Sequence, residues 1–165
     1  MLSTPSQPNR TFFVTSVTAG RRALSQSERM AQLLLDVLQT YRSQGRFLLH
    51  EFVIMPNHFH VLVTPAAAVS LEKALQFIKG GFSYRARKEL GFNSAIWEAG
   101  FTNHRIRDWE DCQRHSTYIR ENPVKANLVE SSVMYPYSSA FPGMELDAMP
   151  LGLKPMSQAA APRGS

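Results

Sequence analysis

Phe12-Phe13-Val14-Thr15-Ser16-Val17-Thr18 is β-branched and aromatic, a pattern that predicts a first strand. The period then changes. Met30, Leu33, Leu34, Val37, Leu38 and Tyr41 recur at i, i+3, i+4, so a helix with one apolar face is expected. Ser25 followed by Glu28 has the form of a capping box at its start, and Gly45 marks its end. Residues 47–54 and 58–64 read as two strands separated by Met55-Pro56-Asn57, a hairpin signal. Ser70 is expected to cap a second helix with Leu71, Leu75, Ile78 and Phe82 on one side. Gly80-Gly81 should weaken that helix midway, by roughly 1 kcal/mol per Gly relative to Ala. A fourth strand is predicted within 101–107. Asp108 then caps a third helix running to about Asn122, where Pro123 stops or kinks it.

The predicted order is β-α-β-β-α-β followed by a further helix. That is the split βαβ arrangement of an α+β, ferredoxin-like antiparallel sheet. Such a fold hosts many unrelated activities, so side chains must carry the functional argument. Residues 1–10 are polar with two prolines, and from about residue 141 Pro, Gly, Ala and Met dominate without periodicity. One folded domain over 11–140 is therefore expected, with a flexible N-terminus (1–10) and a flexible C-terminal tail (141–165).

Composition narrows the function classes. At 165 residues the chain suits a single domain, and 44% hydrophobic with 19% charged residues excludes wholesale disorder. Eighteen Lys+Arg against thirteen Asp+Glu leave a net charge of +5, and thirteen of the cations are Arg, which suits bidentate contact with phosphate. One Cys excludes an internal disulfide framework and any CxxC zinc site. No apolar run approaches a membrane span, and MLSTPSQPNR lacks the apolar core of a signal peptide, so a cytoplasmic protein is expected.

Two motifs point to chemistry. In Asn57-His58-Phe59-His60, a strand aims His58 and His60 at one face, about 6.6 Å apart, while Phe59 turns into the opposite layer. Two such imidazoles suit a first-row metal, and a harder cation would want added oxygen ligands. The competing reading is a pair of polar residues on a solvated strand. About sixty residues later, Tyr118 and Asn122 share a helix face at i, i+4, with Arg114 one turn earlier and Ile119 on the core side. A Tyr beside Arg and an amide can act as a nucleophile on phosphate if its phenol is activated. Its alternative role is packing.

Three blocks now stand in order: Phe52-Val53-Ile54-Met55-Pro56-Asn57-His58-Phe59-His60-Val61-Leu62-Val63-Thr64-Pro65, Trp97-Glu98-Ala99-Gly100-Phe101-Thr102-Asn103-His104-Arg105-Ile106-Arg107, and Tyr118-Ile119-Arg120-Glu121-Asn122-Pro123-Val124-Lys125-Ala126. Together they resemble the REP-associated tyrosine transposases, a branch of the single-tyrosine HUH (IS200-like) transposases. The resemblance implies that His58 and His60 are metal ligands, that Asn122 sits where relatives place a third polar ligand, and that Tyr118 is the nucleophile. It further implies Mg²⁺ or Mn²⁺ as cofactor, a 5′-phosphotyrosine intermediate with release of a 3′-OH, and single-stranded or hairpin (REP-type) DNA as substrate. A monomer is favoured over the homodimer of related mobile-element enzymes.

Lys79, Arg85, Arg87, Lys88, Arg105, Arg107 and Arg114 are the candidate DNA-binding cations, and Tyr84, Phe92, Trp97 and Trp109 the candidate stacking platforms. Two other functions compete. One is a non-catalytic, RRM-like module that holds single-stranded nucleic acid. The other is a metal-dependent hydrolase in which water replaces Tyr118.

Overall fold

Four strands pair antiparallel in the structure, a computed structural model that describes residues 10–149. They are β1 (Phe12–Val17), β2 (Phe47–Met55), β3 (His58–Pro65) and β4 (Thr102–Arg105), in the spatial order β2-β3-β1-β4. Helix α1 (Glu28–Ser43) crosses from β1 to β2, α2 (Leu71–Leu90) crosses from β3 to β4, and α3 (Trp109–Lys125) follows β4. This is the α+β, split βαβ arrangement that the pattern predicts. No helix among the described residues is long and apolar enough to cross a membrane.

Strand alternation divides the side chains between two cores. Val14, Phe52, Ile54, Phe59, Val61 and Val63 meet α1 and α2. On the other face Val53, Met55 and Leu62 meet Ile106, Cys112, Ile119 and Tyr135, so α3 closes a smaller second core. Because β2 and β3 are covered on both faces, they read as near-continuous apolar runs. A bulge at His50 shifts the register between Leu49 and Glu51. It turns Glu51 toward α3, where Ser116 Oγ donates to its carboxylate at 2.6 Å and Ser139 Oγ donates to the other oxygen.

Several local expectations shift by a residue or two. Ser27, not Ser25, caps α1, its Oγ accepting from Met30 N at 3.3 Å. Ser25 is buried in the preceding turn, with its N–H donated to Pro56 O at 2.9 Å, so the hairpin turn has claimed it. Ser70 and Asp108 cap α2 and α3 as expected, accepting from Lys73 N at 3.0 Å and Asp111 N at 2.8 Å. Helix α3 continues past Pro123 to Lys125. Ser116, Ile119 and Pro123 are all buried at i, i+3, i+7, so packing on the sheet outweighs the lost backbone hydrogen bond. The stretch 141–149, expected to be the start of a flexible tail, docks on α1 and β2. Asp147 N donates to Leu49 O, the Asp147 carboxylate accepts from Leu49 N at 2.8 Å and from Arg42 Nε at 3.0 Å, and Gln39 Nε2 donates to Glu145 O. Residues 1–9 and 150–165, the rest of the expected loose ends, lie outside the described residues.

Helix α2 is unbroken at Gly80-Gly81. A Cβ on Gly81 would stand 2.7 Å from Cε2 of Tyr41, whose ring stacks on Phe77 at 5.1 Å, so this glycine lets α1 and α2 close on each other. A Cβ on Gly80 meets nothing within 4 Å. Gly80→Ala should therefore stabilise the fold by up to about 1 kcal/mol. Gly81→Ala should destabilise it by roughly 1–3 kcal/mol through overpacking. Thermal melting of the two variants checks this, and equal effects would mean that Tyr41 moves aside freely.

Candidate active site

Period-two alternation on β3 sends Phe59 into the first core and turns His58 and His60 to the α3 face, their ring centroids 4.8 Å apart. His60 is buried, and its Nδ1 lies 2.8 Å from Oγ1 of Thr15, its register partner on β1. Burial first, then the neighbouring His58, pushes the His60 pKa down to about 3, so the ring is neutral. Its Nε2 is buried and has no hydrogen-bond partner among the described residues. A neutral imidazole with one nitrogen fixed by Thr15 and the other an orphan has the donor arrangement of a metal ligand. The His58 Nδ1–H points to Asn57 Oδ1 at 2.7 Å. Burial and, after it, the charge of Arg21 hold His58 below its ordinary pKa, against a hydrogen bond with the Asn122 side chain. His58, His60 and Asn122 thus come together from β3 and α3.

Tyr118 lies beside them. It is exposed on α3, with its ring centroid 5.4 Å from His60 and 6.0 Å from Phe13. Phe13, Thr15, His60, Arg114, His115 and Tyr118 line a cavity of about 360 Å³. Asp111, His115, Tyr118 and Asn122 follow at i, i+4, i+7, i+11, so one stripe of α3 carries all four.

Asp111 anchors the stripe. Its buried carboxylate accepts from His104 Nε2 at 2.7 Å, Arg107 N at 3.0 Å and Arg114 Nη2 at 2.9 Å. Burial alone would push its pKa up, but the hydrogen bonds from His104 and Arg107 outweigh burial and hold it well below the usual carboxylate range. Donor atoms of His104, Asp111 and His115 lie within 4.8 Å of one another, close enough to hold a metal ion. Here, however, the carboxylate already carries its ion pairs with Arg107 and Arg114. The set with an unfilled donor is His58, His60 and Asn122.

The candidate DNA-binding cations do not form one surface. Arg114 lines the Tyr118 cavity, and Arg107 shares Asp111 with it. Arg105 stands over the Phe12 ring at 5.9 Å, on the other side of β4 from His104. Lys79, Arg85, Arg87 and Lys88 belong to α2, across the sheet from Tyr118. Lys79 is held by the carbonyls of Glu98 and Gly100, and Arg85 by Glu89 at 2.7 Å, whereas Arg87 and Lys88 are exposed. Of the aromatic candidates, Tyr84 is exposed. Phe92 and Trp97 pack on the first core and Trp109 on the second. Sequence reasoning missed Thr15, Arg21, Asp111 and His115 as parts of the site. The helical spacing that groups Tyr118 with Asn122 extends to Asp111 and His115 and could have found them.

Residues 9–122 match the family described as Transposase IS200 like. The REP-associated tyrosine transposase of Escherichia coli K12 is 27% identical over 130 residues, covering 78% of this chain and 75% of that protein. A Haemophilus influenzae Rd protein that provisionally carries the same designation is 30% identical over 129 residues, 68% of this chain and 73% of its own length. The solved structure of a REP-associated tyrosine transposase bound to a REP hairpin is similar with a TM-score of 0.67 at 26% identity. That match covers 79% of this chain and 76% of the other.

Asp111 sets a pH dependence. Its folded pKa lies below the unfolded value near 3.9, so its stabilisation is present above about pH 4 and is lost as pH falls through the folded value. Asp111→Asn should lower the melting temperature at pH 7, with a cost of about 1–3 kcal/mol. The wild type should lose that advantage in acid. An unchanged gap between the two at pH 7 and pH 2 would refute the linkage.

Proposed function

Since the chain belongs to the IS200-like transposase family, we propose that it is a metal-dependent single-strand DNA endonuclease and strand transferase acting at hairpin, REP-type DNA through a 5′-phosphotyrosine on Tyr118. The observation that carries this reading is Tyr118 beside His60, 5.4 Å between ring centroids, where the His60 Nε2 has no partner among the described residues and His58 and Asn122 adjoin it. An RRM-like binding module has no need of such an alignment. All these groups come from one chain, so a monomer suffices.

His58 and His60, with Asn122 as third side chain, would hold a divalent cation, Mg²⁺ or Mn²⁺, whose charge when bound offsets negative charge at the scissile phosphate. The Tyr118 oxygen attacks phosphorus in line, the P–O3′ bond breaks, and the 3′-OH strand is released. A second 3′-OH can reverse the exchange, so strands are joined without ATP. Arg114, in the same cavity, orients a phosphate oxygen during attack. Arg87 and Lys88 hold phosphates of the folded stem on the far side of the sheet.

Tyr118→Phe keeps the ring and removes the attacking oxygen. With hairpin DNA labelled on the 3′ side of the cut, the wild type should form an adduct that survives SDS and is destroyed by protease. The variant should bind the hairpin and form none, and chelation by EDTA or His60→Ala should also stop the reaction. Cleavage by Tyr118→Phe at the wild-type rate would make water the attacker.

The two basic regions separate in a salt titration. Neutralising Arg87 and Lys88 together should flatten the slope of log K against log[salt] by about 0.7–0.9 per lost contact. The adduct rate at saturating DNA should not change. Arg114→Gln should lower that rate at saturation. An unchanged slope in the first variant would take DNA off the α2 surface.

A further inference from the structure

A phenol attacks phosphate well only if its proton has somewhere to go. Among the side chains lining the Tyr118 cavity, Phe13 has no acceptor, Arg114 is a cation, and Thr15 is engaged with His60. Both His60 nitrogens are committed, one to Thr15 and the other, in the reading above, to the cation. His115 remains. It stands one helical turn before Tyr118 on the same stripe, half-buried, against Phe13 (4.8 Å between ring centroids) and His104 (4.6 Å, nearly parallel). Its Nδ1 is 2.8 Å from the backbone carbonyl oxygen of Asp111 and 3.3 Å from the Asp111 carboxylate. Both oxygens only accept, so Nδ1 carries a hydrogen and Nε2 is the nitrogen left to accept a proton.

We propose that His115, oriented by Asp111, is the proton acceptor for Tyr118. The inference rests on Tyr118 being the nucleophile. In the forward step the Tyr118 O–H proton passes to His115 Nε2 and the phenolate oxygen forms its bond to phosphorus. The P–O3′ bond breaks, its electron pair stays on the 3′ oxygen, and that oxygen takes a proton from solvent. In the joining step the leaving phenolate takes the proton back from His115. The charged and titratable groups around His115 are His104 from β4, His60 from β3, and Asp111, Arg114 and Tyr118 from α3 itself. Arg114 and the opposed Asp111 form an ion pair at 2.9 Å, so the acceptor works beside a neutralised pair.

The test is His115→Asn. Its side-chain amide can still donate to the Asp111 carbonyl, as Nδ1 does, while the acceptor nitrogen is gone. Hairpin affinity and melting temperature are measured beside the adduct rate, with wild type and Tyr118→Phe on the same oligonucleotide. The adduct rate should fall about 100-fold or more near neutral pH with hairpin affinity unchanged. Added imidazole should restore part of the rate to His115→Ala. Should His115→Asn melt too low to assay, the imidazole response of His115→Ala, assayed below its melting temperature, decides alone. A wild-type rate in His115→Asn, or a lost rate in His115→Ala that imidazole does not restore, would overturn the assignment to His115. Absence of any adduct in the wild type would instead overturn the Tyr118 reading on which it stands.

Discussion

The carboxylate of Asp111 enters the junction of β4 and α3 almost fully out of water, where one anion gathers donors from His104, Arg107, Arg114 and the backbone. A buried charge is tolerable only when so surrounded, which makes the arrangement all-or-none: the helix start is either docked there or the anion is exposed. Everything useful on α3 is measured from that anchor. Fixing residue 111 against the sheet fixes the azimuth of the helix, and the azimuth decides that His115, Tyr118 and Asn122 line up along the side that faces the sheet's open cavity. Glu51 does a second, similar task nearer the helix middle, through Ser116. The two carboxylates hold a helix whose apolar contribution to packing is small, chiefly Cys112, Ile119 and Pro123.

The sheet separates two kinds of work. The face toward α1 and α2 is packed with Phe and branched aliphatic side chains and contains the bulk of the core. The face toward α3 carries imidazoles, hydroxyls and the tyrosine in a partly open cavity. Strand β3 serves both, since every second residue belongs to the other layer. A rigid strand packed on one side is a good mount for ligands on the other, because His58 and His60 cannot move without disturbing Phe59 and Val61.

Legibility in the sequence followed the stiffness of the local geometry. Strand parity leaves no freedom, so His58 and His60 on one face with Phe59 opposite were readable. Spacing of four on a helix likewise grouped Tyr118 with Asn122. The order of elements, and hence the fold class, followed from changes of period. What escaped depends on contacts distant in the chain. Ser25 and Ser27 are equally good caps until Pro56 claims the first. Gly81 reads as a helix breaker until Tyr41 is seen against it. The basic run from Lys79 to Arg107 looks continuous along the chain, yet the crossover after α2 puts its two ends on opposite sides of a sheet. Asp147 sits in a stretch without periodicity, and its value comes from Arg42 and Leu49, about a hundred residues earlier.

The bulge at His50 can be understood as a phase marker. Before it, odd-numbered residues of β2 point to α1 and α2, and after it even-numbered ones do, so Leu49 and Phe52 share a layer although three positions separate them. His50 itself is the spare residue, held aside by Thr64 and the Asp147 carbonyl. The strand is therefore written in two frames joined at one residue. The frame after the join brings Glu51 to α3 and Phe52 to the large core. Were His50 taken into the ladder as an ordinary paired residue, alternation would exchange them, setting a carboxylate among phenylalanines and a phenyl ring against Ser116. Holding that one residue out of the ladder is thus as much a determinant of the tyrosine's position as any residue that touches it.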